Sequence, residues 1–113
     1  MLNIFRRPAI MEGLLQYDEL PDALLLDVRS EEEYGNGHIP GSRNVPIQAL
    51  DRIDGLAHGK HTPIFVYCHS GSRSAYAAAM LRRMGYTHIH NLGGMAAYRG
   101  RMERNAVGCF AGS

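Results

Sequence analysis

Cys68, His69, Ser70, Gly71, Ser72 and Arg73 follow one another directly after an apolar run at 64–67 and directly before an alanine-rich stretch. A thiolate is the nucleophilic form of cysteine, and a free thiol of pKa ~8.5 is only ~3% ionised at pH 7. Two local devices lower that pKa. One is the start of the following helix, whose unpaired N–H groups and dipole favour an anion. The other is the loop 69–73, short enough to curl so that successive N–H groups point inward. Gly71 takes the positive φ that such a curl needs. Ser70 and Ser72 add hydroxyl donors, and the planar guanidinium of Arg73 suits an oxyanion. The plainer alternative is a packed structural cysteine, since free cysteines are among the most buried residues. The convergence of polar loop, arginine and helix start on Cys68 argues for the nucleophile.

The elements that position this loop alternate between strand and helix. Residues 64–67 (IFVY) read as a β-branched and aromatic strand that delivers Cys68 at its carboxyl end. Residues 74–84 read as the best helix of the chain, with Arg82 and Arg83 at its negative end and Gly85 after it. Upstream, 11–20 is a weak helix and 23–28 (ALLLDV) a strand buried on both faces. Ser30 and Glu33 have capping-box spacing, and the glycines of 35–37 end the short helix they open. Ile47, Leu50, Ile53 and Leu56 mark a helical period. Downstream, 87–92 reads as a strand, Gly93 and Gly94 as a turn, 95–103 as a helix and 105–113 as a frayed tail. Such alternation predicts an α/β fold, a parallel sheet with helices on both faces. Cys68 then lies outside the carboxyl end of a strand, where open α/β sheets bind ligands.

Length and composition bound the rest. At 113 residues the chain fits one domain, 1–113. No apolar run approaches the ~20 residues of a membrane span. The start MLNIFRRP lacks the apolar core of a secretory signal, so a cytoplasmic location is expected. Net charge is +1, which gives no reason to expect nucleic acid as a partner. Six arginines and one acid fall in 68–113, a bias read as a solvated helix face, with a positive field around Cys68 as the functional alternative. The two cysteines, Cys68 and Cys109, have no CxxC spacing, so neither a zinc ribbon nor a thioredoxin motif is available. His88 and His90 alternate as a metal pair would, but lack a third ligand at fixed spacing and read as exposed strand residues. No metal is expected. Cys109, flanked by glycine in the tail, reads as an incidental thiol rather than a resolving one.

Four segments together carry a resemblance: LLLDVRSEEEY (24–34), GHIPGSRNVP (37–46), IFVYCHSGSRSAYAAAML (64–81) and NLGGMAAY (91–98). Their order and spacing over roughly 10–100 resemble the single-domain rhodaneses, or thiosulfate sulfurtransferases. That resemblance implies a five-stranded parallel sheet flanked by helices. It implies an enzyme in which Cys68 carries a persulfide, and His69, Ser70, Gly71, Ser72 and Arg73 hold that persulfide and a small anionic donor. Asp27 and Arg29 would then be structural support beside the loop, with Arg29 paired to Glu33. No cofactor is implied beyond the covalent sulfur, and the acceptor would be a thiol, cyanide or a protein cysteine. Neither membrane nor nucleic acid is implied as a partner.

Two positions depart from the family's pattern. His69 stands where many relatives have a basic residue, and it reads as lining the loop rather than as a base. Tyr98 stands where a tryptophan is common, a change of packing. Cysteine phosphatases and arsenate reductases share the fold, but their loops hold five residues between cysteine and arginine. This chain has four, which suits a smaller reacting group. A sulfur carrier or regulatory module without turnover is the alternative from a different class.

Overall fold

Continuous apolar runs need cover on both faces, and the two central strands have it. The computed structural model describes residues 8–105. Within it, β3 (Ile64–Cys68) is buried at every position and β1 (Leu24–Asp27) at its last three. They pair in parallel from Leu24↔Ile64 to Asp27↔Tyr67. β2 (Arg43–Asn44) flanks β1 on one side and β4 (Ile89–Gly94) flanks β3 on the other, also in parallel. The order is therefore β2-β1-β3-β4.

Side chains alternate across the sheet with period two, which divides the core. Leu26, Val28, Ile64, Val66 and Cys68 pack with Ala77, Ala78 and Leu81 of α3 (Ser72–Arg83). Leu25, Phe65 and Tyr67 face the other way, against Ile10, Met11 and Leu14 of α1 (Ala9–Asp18). Helices thus cover both faces, as the sequence predicts. The same alternation places the Cys68 side chain on the α3 face.

The chain leaves β1 toward β2 and later crosses back to β3 on the far side of β1. Loops leaving β1 and β3 diverge at such a switch point and open a crevice at the carboxyl ends of the strands. Asp27 and Cys68 end these two strands, so the connection through Arg29 and the loop 69–71 border that crevice.

Three expectations need correction. Among the described residues the sheet has four strands, not five. From Pro8 to β1 the chain is taken up by α1 and a turn. After β4 it forms only a short 3-10 turn, Met95–Ala97, and one antiparallel bridge between His38 and Glu103. Among the described residues no further strand-length segment is formed.

The bridge also explains why 95–103 is not a helix. Tyr98 turns extended (φ −70°, ψ 133°), and Glu103 exchanges two 2.8 Å backbone hydrogen bonds with His38. An extended chain advances ~3.3 Å per residue against ~1.5 Å in a helix, so it spans to His38, in the connection before β2, where a helix would fall short. Of the predicted tail 105–113, Asn105 donates its N–H to the Gly35 carbonyl at 3.2 Å, and 106–113, with Cys109, lie outside the described residues.

The third correction concerns Ile47–Gly55, which winds as a 3-10 helix broken at Ala49 (φ −123°, ψ 29°). Its apolar residues recur every three positions, and three residues make one 3-10 turn. In that winding Leu50 and Ile53 are buried on one side, with Ile47 and Leu56 packed beside them.

Candidate active site around Cys68

The local chain folds as the loop chemistry demands. β3 ends on Cys68, and Gly71 adopts a left-handed conformation (φ 108°, ψ −16°) that turns the backbone into α3. This helix starts at Ser72, two residues before the predicted start, and has no side-chain cap of its own. The first N–H groups of a helix lack partners within it. Here the sulfur of Cys68 takes the place of a capping oxygen. Its Sγ accepts from the Gly71 N–H at 2.9 Å and from the Ser74 N–H at 3.3 Å. Burial pushes the thiol pKa up, but the hydroxyl and amide of Ser74 and the amides of Gly71 and Arg73 outweigh it, so the net shift is down. Cys68 is fully buried, so its sulfur is held beneath the loop rather than displayed on it.

The loop is braced from behind by the end of β4. The Met95 N–H donates to the His69 carbonyl at 3.1 Å, and the Ser74 hydroxyl donates to the Gly71 carbonyl at 3.0 Å. Gly94 makes the closest approach. A Cβ there would stand 2.5 Å from the His69 carbonyl oxygen and 2.8 Å from the Ser70 Cα. In the sequence Gly93 and Gly94 read only as a turn. A glycine within a strand often marks another backbone close by, which is the signal for this contact.

Glu33 joins two elements. Its carboxylate accepts from the Ser30 N–H at 3.0 Å while the Ser30 hydroxyl accepts from the Glu33 N–H at 3.1 Å, completing the predicted capping box of α2 (Glu31–Asn36). The same carboxylate receives both Nη atoms of Arg73, at 2.7 and 3.0 Å. Arg73 is therefore occupied by Glu33, and the loop is tied to α2. The expected Arg29–Glu33 pair does not form. Arg29 instead clamps Asp27, with Nη2 on Oδ2 at 2.7 Å and Nε on Oδ1 at 3.0 Å, and donates to the Gly37 carbonyl at 2.6 Å. Asp27 lies two residues before Arg29 and is fully buried, whereas Glu33 lies beyond Ser30 on α2. Asn44 holds the turn between them by donating to the carbonyls of Asp27 and Arg29, each at 3.0 Å.

The Arg73 guanidinium, with help from the Ser30 N–H, lowers the Glu33 pKa to about 2. An unfolded glutamate titrates near ~4.3. Stability from this pair is therefore complete above the unfolded value and is lost as pH falls through the folded one. Both side chains are more than a third exposed, so solvent screening limits the contribution to about 1 kcal/mol or less. We expect Glu33→Gln to lower the denaturant midpoint at pH 6, with the gap to wild type closing by pH 2. A gap that stays constant across that range would contradict the ion-pair assignment.

No group of three or more His, Cys, Asp and Glu that could hold a metal ion occurs among the described residues. His88 bonds to Thr87 at 2.8 Å and faces the His61 ring, while His90 stacks on Phe65 at 4.3 Å, so the two do not converge. Among the described residues no helix is long and apolar enough to cross a membrane. Beside the Cys68 loop opens a cleft of about 430 Å³, lined by the polar Arg29, Glu33 and His69 and by Met95, Ala96 and Met102. The site thus combines a buried sulfur, capped by N–H groups, with a cleft beside its loop.

Comparison with known proteins agrees with this geometry. Residues 11–101 match the rhodanese-like domain. The thiosulfate sulfurtransferase PspE of Escherichia coli (strain K12) is 38% identical over 71 residues, 62% of this chain and 68% of that protein. The putative sulfur carrier protein YrkF of Bacillus subtilis (strain 168) is 34% identical over 80 residues, 70% of this chain and 43% of that protein. The solved structure of a rhodanese with anions from E. coli superposes with a TM-score of 0.69 at 32% identity, covering 74% of this chain and 99% of that one. The chain therefore spans about two thirds of one named relative and less than half of another. With the family match extending from α1 through the loop to the segment after β4, this chain belongs to the rhodanese-like domain family.

Proposed function

We propose that the protein is a sulfurtransferase that moves a sulfane sulfur from a small anionic donor such as thiosulfate to a thiophilic acceptor, through a persulfide on Cys68. The observation that carries this reading is the sulfur capping α3, with two N–H groups aimed at the atom that bears the charge. The Cys68 thiolate attacks the outer sulfur of thiosulfate, the donor's S–S bond breaks, and sulfite leaves with the bonding pair. An acceptor thiolate or cyanide then attacks the outer sulfur of the persulfide, and the Cys68 thiolate departs. The charge sits on Cys68 Sγ before the first step and after the second, where the Gly71 and Ser74 N–H groups receive it, and on the outer sulfur in between, where the remaining loop N–H groups would stabilise it.

Phosphoryl chemistry fits less well. Only four residues separate Cys68 from Arg73, and the Arg73 fork is committed to Glu33. Arg29 is likewise clamped on Asp27, so neither of these guanidinium groups is free to clamp equatorial oxygens, and in this reading His69, Ser70, Gly71 and Ser72 contact the donor through loop amides and hydroxyls. Arg73 holds that loop closed. Arg73→Ala should lower kcat/KM for thiosulfate by about tenfold through a slackened loop, and Lys, lacking the fork, should restore only part. Unchanged kcat/KM in Arg73→Ala would show that the loop keeps its shape without the tie.

Two half-reactions through one covalent intermediate require ping-pong kinetics. Varying thiosulfate at several cyanide concentrations should give parallel double-reciprocal lines for thiocyanate formation; intersecting lines would rule out a free persulfide intermediate. Alkylation of Cys68 by a small reagent should also show a midpoint below that of a free thiol, and a midpoint at or above it would remove the activated nucleophile.

A further inference from the structure

The cleft beside the loop is much larger than thiosulfate or cyanide require. At about 430 Å³ it has the volume of a site for organic ligands of many atoms, in the form of an open surface cleft rather than an enclosure. Its charged groups are already paired. Arg29 is clamped on buried Asp27, and Glu33 is held by both nitrogens of the Arg73 fork. His69 stands exposed at the cleft. Met95, Ala96 and Met102 add an uncharged part of the lining, and Met102 is 41% exposed with its thioether end over Gly37. Methionine side chains adapt to irregular apolar surfaces.

Resting on the persulfide reading above, we propose that this cleft receives the acceptor as a cysteine whose flanking side chains are apolar and uncharged, carried on a peptide or protein segment. The acceptor sulfur must reach the outer sulfur of the persulfide, so the chain on either side of it lies along the cleft. Apolar flanks laid on Met95, Ala96 and Met102 leave water favourably. Charged flanks are desolvated there with no unpaired partner. The acceptor thiolate attacks the outer sulfur, the S–S bond to Cys68 breaks, and the Cys68 thiolate returns to the N–H groups of Gly71 and Ser74. One sulfur atom changes hands, and no external oxidant or reductant takes part.

The test uses the full chain loaded with thiosulfate and freed of excess donor. It is mixed with short cysteine peptides that differ only in leucine, glutamate or lysine flanks, and loss of the added sulfur is followed by mass spectrometry. The leucine-flanked peptide should unload the protein roughly tenfold faster than the glutamate-flanked one, the discrimination that one or two methylene-sized contacts provide. Met102→Lys should raise the rate with glutamate flanks and bring that ratio toward one, and Met102→Glu should raise the rate with lysine flanks while leaving glutamate flanks slow. Because Met102 is exposed, both variants should keep the fold, which circular dichroism checks. Failure to load sulfur at all would overturn the sulfurtransferase reading and this inference with it. Loading followed by equal unloading rates, or by ratios that ignore the charge at position 102, would overturn the acceptor assignment alone.

Discussion

Cys68→Ser should take up no sulfur from thiosulfate and lose at least about a thousandfold in turnover, as expected when a covalent nucleophile is removed. It should nevertheless fold. The serine oxygen can accept the Gly71 and Ser74 N–H groups that the sulfur now caps, so no buried donor is orphaned. The side chain shrinks slightly within the cluster of Val66, Ala77 and Ala78, a near-isosteric change that costs about 1 kcal/mol or less. Serine fails chemically because a hydroxyl is not ionised by two amides near neutral pH. Turnover within tenfold of wild type would mean that Cys68 caps the helix and another group does the chemistry. Failure to fold would mean that the sulfur is needed for structure more than for reaction.

The second large effect is expected from Gly94→Ala. Its backbone (φ −91°, ψ 151°) suits any residue, so the constraint is steric. The added methyl would lie 2.5 Å from the His69 carbonyl oxygen and 2.7 Å from the Ser70 carbonyl carbon. Both are backbone atoms at the base of the loop, and they can yield only by moving it. Overpacking of this kind costs about 1–3 kcal/mol, and displacing reactive groups by about 1 Å costs on the order of a hundredfold in rate. Gly94→Ala should therefore lower the denaturant midpoint, reduce kcat/KM about a hundredfold and move the Cys68 alkylation midpoint back toward a free thiol. Gly59→Ala, where an added Cβ meets nothing within 4 Å, should change none of these. Equal behaviour of the two variants would show that the β4 end does not shape the loop.

These expectations separate what the chain reveals locally from what it reveals only when folded. Residues 64–68 announce a buried strand by β-branched and aromatic content, and alanine at 75 and 77–79 announces a helix. The true start of α3 was hidden because its cap is the sulfur of Cys68, outside the usual capping residues. Ser30 and Glu33 are three residues apart, so their box was legible. The Arg73 partner of Glu33 lies 40 residues away, and no pattern in one sequence specifies it. The spacing of Ile47, Leu50, Ile53 and Leu56 was visible, but its strict period of three meant a 3-10 winding rather than a generic helix. Residues 95–103 show helix-compatible composition, which the tertiary pairing of Glu103 with His38 overrides. The loop of Cys68 was legible because its own residues build it, whereas Gly94 and Glu33, which hold it in place, act from other elements.

The most direct test of the account is the mass of the intact protein after incubation with thiosulfate and removal of the donor. A gain of one sulfur atom is expected, located on Cys68 by tandem mass spectrometry. Cyanide should discharge it as an equal amount of thiocyanate, with return to the starting mass. An unchanged mass under these conditions, together with Cys68-dependent hydrolysis of an aryl phosphate, would contradict it.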